Sequence, residues 1–261
     1  MRAVSCVGNS ITRGNASHEP GDGTHSPRKS SARMRIRGNY PAILASLSGG
    51  RLTTSNFGHG GRTAVNASEA YVRTLEYSAA LESTPQTVVL MLGTNDCKRS
   101  MWPQHQHDFV PALVKIGLAF LSLPSQPNLL LVVPPPIINY RSQSPPPLEF
   151  QAAVLASEIR PRIIEASQLL ANISRTRHRP HSDRPCAPGT VSLLDLHSRW
   201  AGKYDCEIWP AIAREDCASL YIADGIHTSE RGAQAIAAAV YEELEPCAIQ
   251  IGSRTRRYAK N

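Results

Sequence analysis

A serine, a histidine and a carboxylate are the minimum equipment for nucleophilic acyl transfer: one group attacks, one takes its proton, one orients the proton acceptor. The chain contains all three in short polar stretches that interrupt apolar ones. Ser10 lies in "VGNSITRG", and Asp224 and His227 lie three residues apart in "DGIH", a spacing that sets an imidazole beside its orienting carboxylate within one turn. The same chemistry needs hydrogen-bond donors aimed at the developing oxyanion. Ser10 supplies its own backbone N–H, Gly61 in "NFGHGGRT" an N–H without an obstructing side chain, and Asn95 in "GTND" a side-chain amide. Taken alone, Gly-Asn-Ser is equally an ordinary turn, since these residue types dominate turns. The elements around it decide between the two readings.

Five apolar runs read as buried parallel strands: Ala3–Val7, Leu52–Phe57, Thr87–Leu92, Leu129–Val133 and Val191–Leu196. Each is continuous, rich in Val, Leu or Ile, and closed by Gly, Pro or a polar cluster, as strands covered on both faces are. Helical patterns alternate with them. A short one covers Tyr40–Leu47 and a longer one Val65–Leu81. Phe109, Leu113, Ile116 and Phe120 share a face, as do Ala233, Ile236, Ala237, Val240 and Leu244. Leu148–Ile173 is helical in pattern with an expected kink or break near Pro161. The alternation predicts a three-layer α/β/α sandwich about a five-stranded parallel sheet in flavodoxin-like order. It is read as one domain over residues 1–261, with irregular loops at about 15–38 and 174–190 and a basic tail at 252–261. Parallel strands gather the segments after strands one, two and three at one sheet edge. The "DGIH" loop can return to that edge before the last helix, where Thr228 or Ser229 would cap it.

In this arrangement the four stretches resemble the four blocks of the SGNH (GDSL-type) hydrolases. "GNSITRG" is similar to the Gly-Asp-Ser block, "NFGHGG" to Asn-x-Gly-x-x-Gly, "GTND" to Gly-x-Asn-Asp and "DGIH" to Asp-x-x-His, in the family's order and across nearly the whole chain. The resemblance implies Ser10 as nucleophile, Asp224 and His227 as the rest of a triad, and Ser10, Gly61 and Asn95 as oxyanion donors. Gly58 and Gly60 crowd beside Gly61 and compete for that assignment. The chain departs from the family at Asn9, where the common residue is Asp. The Gly-x-Ser-x-Gly elbow of the larger α/β-hydrolases is absent, because position 12 is Thr. "RGNYPAIL", "NFGHGGRT" and "GTNDCKRSMW" are similar to the sialate O-acetylesterase-like and carbohydrate-acetylesterase branches, which implies removal of acetyl groups from sugar hydroxyls. Candidate substrate contacts are Asn9, His59, Lys98, Trp102 and the loop around Arg28–Arg37, with Trp102 either stacked on a sugar or buried against its neighbouring helix. A lysophospholipase or thioesterase would use the same residues, and a silent binding module would keep only the fold.

The composition narrows the field. The 261 residues are 41% hydrophobic and 19% charged, enough for a core, and no apolar run is long enough to span a bilayer. Only 6% are aromatic, which suits a small acyl pocket. The net charge of +7 concentrates at residues 28–37, 175–184 and the "RTRRYAK" tail, in segments poor in aromatics. These read as solvated loops, so no nucleic-acid partner is expected; the expected partner is a small-molecule or carbohydrate ester. Six cysteines include no CxxC pair; Cys6 reads as a buried thiol, and Cys206 and Cys217 are able to pair. His105, His107 and Asp108, and likewise His178, His181 and Asp183, read as surface groups rather than metal ligands. No metal, no phosphate-cradling motif and no cofactor is expected. No secretory signal is read at the N-terminus, which leaves the compartment undetermined, cytoplasmic by default and secreted if the start is processed.

Overall fold

The structure is a computed structural model that describes residues 1–14, 38–139, 149–177, 187–206 and 213–258, with side chains described as far as residue 245. Along the chain run β1 (Arg2–Gly8), α1 (Ser10–Arg13), α2 (Tyr40–Leu47), β2 (Leu52–Gly58), α3 (Leu75–Glu82) and β3 (Thr87–Met91). There follow α4 (Trp102–His105), α5 (Phe109–Leu121), β4 (Asn128–Val133), α6 (Ala152–Val154) and α7 (Arg160–Arg177). The chain closes with β5 (Val191–Asp195), α8 (Leu196–Tyr204), α9 (Glu215–Ala218) and α10 (Glu230–Tyr258). The sheet order is β2-β1-β3-β4-β5 and every pairing is parallel, the flavodoxin-like arrangement.

Side chains alternate across the sheet with period two, and both faces are apolar. Val7, Phe57, Val88, Leu90, Leu129, Leu131 and Val133 pack with residues of α3, α5 and α7. Val4, Cys6, Val89, Met91, Leu130 and Val132 pack on the opposite face with α2, α8 and α10. This accounts for the continuous apolar runs: each strand is sandwiched between two helix layers. With both faces apolar, hydrophobicity alone sets strand register weakly. Glycine sets it more sharply. A Cβ at Gly8 would come within 2.3 Å of Thr12 Oγ1 and 2.5 Å of Met91 O, and one at Gly58 within 2.2 Å of Arg13 N. A one-residue slip would drive a side chain into the turn that follows β1.

Two expectations about helices are corrected. Val65–Leu81 is not one helix; after a 3₁₀ turn at Tyr71–Arg73, helix α3 begins only at Leu75, capped by Thr74, whose Oγ1 accepts from Tyr77 N at 3.1 Å. The backbone N–H groups of Ala64 and Val65 donate instead to the Asp96 carboxylate across the sheet edge. Near Pro161 the helix changes form, as the proline leads one to expect. A π-helical turn at Leu155–Ile159 joins α6 to α7 and absorbs the missing proline donor and the ring's crowding. The segment read as an irregular loop at 174–190 begins as helix, and the basic tail is helical for most of its length. α7 runs to Arg177 before residues 178–186, and α10 stays helical through Tyr258 within the basic tail. The basic stretch 28–37 and most of the 15–38 loop lie outside the described residues, as do His178, His181 and Asp183.

Candidate active site

Ser10 is the first residue of α1, a single helical turn immediately after β1. Asn9 caps that turn, its Oδ1 accepting from Ile11 N at 3.1 Å, and Gly14 closes it in the left-handed conformation at φ 85°. Asn9 has no exposed surface, so it shapes the turn from below and presents nothing to a substrate. The amide serves the cap as a carboxylate would, which explains why Asn is tolerated where the family pattern has Asp.

The opposite wall is the loop between α9 and α10. Asp224 Oδ1 accepts from the backbone N–H of Ile226 and of His227, both at 2.9 Å, folding the loop on itself. Its Oδ2 lies 2.6 Å from His227 Nδ1, and His227 Nε2 lies 2.8 Å from Ser10 Oγ. A carboxylate can only accept, so Nδ1 carries the proton and Nε2 presents a lone pair to the serine hydroxyl. Burial by itself would raise the Asp224 carboxyl, but the His227 ring and the two backbone donors outweigh it and hold the group below the usual carboxylate range. A serine 217 positions away in sequence thus meets an imidazole that is already oriented.

The loop reaches this edge because the segment after β4 buckles it there. Ile138 N donates to Gly225 O at 3.0 Å, and the Tyr221 hydroxyl donates to Pro136 O at 2.6 Å. Gly225 has φ 68°, and a Cβ on it would approach Ile138 O to 2.2 Å. A disulfide between Cys206 and Cys217 ties the end of α8 to α9, just upstream. Of the two cap candidates it is Ser229 that serves α10, its Oγ accepting from Gly232 N at 3.2 Å while donating to Ser219 O at 2.7 Å.

The third wall is the pair of loops after β2 and β3. Asn95 Nδ2 donates to Arg62 O at 3.0 Å, so one amide hydrogen braces the glycine-rich loop and the second has no partner among the described residues. Asp96 receives Ala64 N at 2.9 Å and Val65 N at 3.2 Å. Burial pushes its carboxyl up to about 7, against the opposing pull of these donors. The dipeptide therefore pins residues 62–65 from both ends. Gly61 has φ 75° with open space where a Cβ would stand, whereas Gly58 is closed by the α1 backbone; this separates two of the crowded glycines.

The remaining candidate contacts divide. His59 sits at the sheet edge, its N–H donating to Gly8 O at 2.9 Å and its Nδ1 lying 2.8 Å from Glu76 Oε2. Lys98 pairs with Glu69 at 3.4 Å and lies over the Phe150 ring. Trp102 is not available for stacking. It is only 4% exposed, with Phe109 against its ring, the Arg162 guanidinium over it, and Nε1 donating to Glu158 at 2.8 Å. Its apolar area is worth more inside the core than at a polar surface. Glu76 had no sequence signal as a partner for His59, because the 65–81 stretch reads as one helix. His105 pairs with Asp108 at 3.5 Å, and among the described residues no group of three or more His, Cys, Asp or Glu is placed to hold a metal ion. Among the described residues no helix is long and apolar enough to cross a membrane.

The five-stranded flavodoxin-like sheet thus carries a hydrogen-bonded Ser10–His227–Asp224 series at the C-terminal edge of its strands. The chain belongs to the GDSL-like lipase/acylhydrolase family, which it matches over residues 6–235. It is 25% identical over 252 residues to an acetylxylan esterase of Xylanibacter ruminicola, covering 90% of this chain and 41% of that protein. The chain thus spans about two-fifths of the length of that curated relative. Solved structures share the fold. A lipase/acylhydrolase from Enterococcus faecalis has a TM-score of 0.57 at 15% identity, covering 94% of this chain and 95% of that one. A carbohydrate acetylesterase from Sinorhizobium meliloti has 0.53 at 18%, covering 94% and 99%. An acetyl xylan esterase has 0.55 at 16%, covering 92% and 98%.

Proposed function

We propose that this chain is a serine esterase that removes small acyl groups, chiefly acetyl, from carbohydrate hydroxyls through an acyl-enzyme. The observation that carries the reading is the hydrogen-bonded series Asp224–His227–Ser10, with ring contacts of 2.6 and 2.8 Å. Ser10 Oγ attacks the ester carbonyl while its proton passes to His227 Nε2. The N–H groups of Ser10 and Gly61 and the second amide hydrogen of Asn95 receive the oxyanion. Collapse of the tetrahedral intermediate breaks the bond to the alcohol, which takes the proton from His227. Water then repeats the sequence on the acyl-serine, and the acid leaves. Asp224 keeps His227 in the required tautomer throughout and stabilises the imidazolium.

The acetyl and carbohydrate part of the reading is supported by the names of the relatives and by the small number of aromatic residues available to line a long acyl pocket. The test is intact mass after exposure to a fluorophosphonate, with the wild type compared with Ser10→Ala, followed by rates on acetylated xylo-oligosaccharides and on p-nitrophenyl esters of increasing chain length. A single adduct that depends on Ser10, acetate release from the oligosaccharides and a steep fall beyond short chains are expected. Absence of an adduct on folded wild type would overturn the serine mechanism. Preference for long acyl chains would replace the carbohydrate reading with a lysophospholipase or thioesterase.

A further inference from the structure

His59 and Glu76 form a second histidine–carboxylate pair at the same sheet edge as Ser10, and the relay above leaves it without a role. The pair sits close to the serine. His59 follows Gly58, the register partner of Gly8, and donates its N–H to Gly8 O at 2.9 Å; Ser10 is two residues beyond Gly8. Along the chain, His59 also stands two residues before Gly61. The ring does not turn freely. Its Nδ1 lies 2.8 Å from a carboxylate in the first turn of α3, and that turn is itself fixed by the Thr74 cap. Both side chains are partly open, at 29% and 23%. His59 Nε2 has no hydrogen-bond partner among the described residues and is not a buried atom. A half-open histidine–carboxylate hydrogen bond of this kind contributes little to stability, so its orientation is better explained by what the far nitrogen meets.

We infer that His59, oriented by Glu76, accepts a hydrogen bond from a free hydroxyl adjacent to the acylated oxygen and so selects monoacylated diols, as on a sugar ring, over plain alkyl or aryl esters; this rests on the esterase reading of the site. The chemistry follows from the tautomer. Glu76 can only accept, so the neutral ring holds its proton on Nδ1, and Nε2 offers a lone pair. That lone pair accepts from an O–H group and finds nothing to bind on an unsubstituted alcohol. His59 is therefore a specificity residue for the alcohol side of the ester, apart from the proton relay of His227.

The experiment uses two acetates of the same shape, trans-2-hydroxycyclohexyl acetate and cyclohexyl acetate. Their kcat/KM ratio is normalised to hydroxide-catalysed hydrolysis and measured for wild type, His59→Ala and Glu76→Ala. The ratio cancels any general loss of activity caused by disturbed folding. For wild type it should favour the hydroxy ester by about tenfold, as one neutral hydrogen bond allows, and it should fall to within about twofold of unity in both variants. A wild-type ratio near unity, or a ratio unchanged by both substitutions, would overturn the inference while leaving the esterase reading intact. Turnover of neither ester by wild type would remove the esterase reading and this inference together.

Discussion

Asn95 holds one hydrogen bond for the fold and Asp224 two, and each has a further group facing the site, so their substitution should separate kinetic from structural effects. Asn95 braces Arg62 O with one amide hydrogen. In the proposed mechanism the second hydrogen is engaged only when charge develops, so replacing Asn95 by Ala should lower kcat by about 10²–10³ with a much smaller change in KM. Asp224→Asn would place an amide N–H or a weaker acceptor against His227 Nδ1 and favour the wrong tautomer. A fall in kcat of about 10⁴ is expected, with fluorophosphonate labelling slowed in parallel. Steady-state kinetics on a short-chain ester check both. Asp224 also contributes to pH-dependent stability. Its carboxyl is held below the usual range, so its contribution is present above the unfolded value and is lost as pH falls through the folded one.

At the scale of elements, the site depends on which loop is tied to which. Asp96 binds the loop after β3 to residues 64–65, and burial raises its carboxyl to about 7. A raised carboxyl keeps its proton in the folded state where the unfolded chain has released it. Its effect is therefore a loss of stability as pH rises from about 4 to about 7. Asp96→Asn should flatten stability against pH across that window, read as urea midpoints. Gly225 is the other tie. With φ 68° and a Cβ position 2.2 Å from Ile138 O, Gly225→Ala should cost at least about 2 kcal/mol. It should also reduce kcat by about tenfold or more at full folding, since displacing the loop moves Asp224 and His227 together. The 65–81 stretch shows why such ties are hard to read from sequence. Its helical periodicity is genuine, but Thr63 N donates to Glu69 O and Tyr71 N to Thr63 O, which closes the stretch as a loop, and a carboxylate some thirty residues away holds Ala64 and Val65.

Over the whole molecule, two helix layers enclose the sheet, and the disulfide links α8 to α9 across a sequence separation of 11. Replacing both Cys206 and Cys217 by Ala should lower unfolding stability by about 2–4 kcal/mol in urea titrations. Ala in place of Cys6, in contrast, removes a buried thiol that makes no such link. Trp102 shows the same scale at work on a single residue. Its neighbourhood in sequence suggests a sugar platform, but the packing of α4 against α5 and the π-helical turn takes it inside.

Much of this was legible in the residues themselves. Strand positions, sheet type, the four loaded loops and the reach of Asp224 to the His227 ring follow from local chemistry. Apolar runs must be covered, glycine must stand where no Cβ fits, and an Asp three residues before a His can reach its ring. What needed the tertiary structure was every contact between segments distant in sequence. Examples are the Ile138–Gly225 clasp, the Asp96 brace, the His59–Glu76 pair and the burial of Trp102. Periodicity records only which face of an element is apolar. Which polar group reaches which is decided by the packing that brings those faces together.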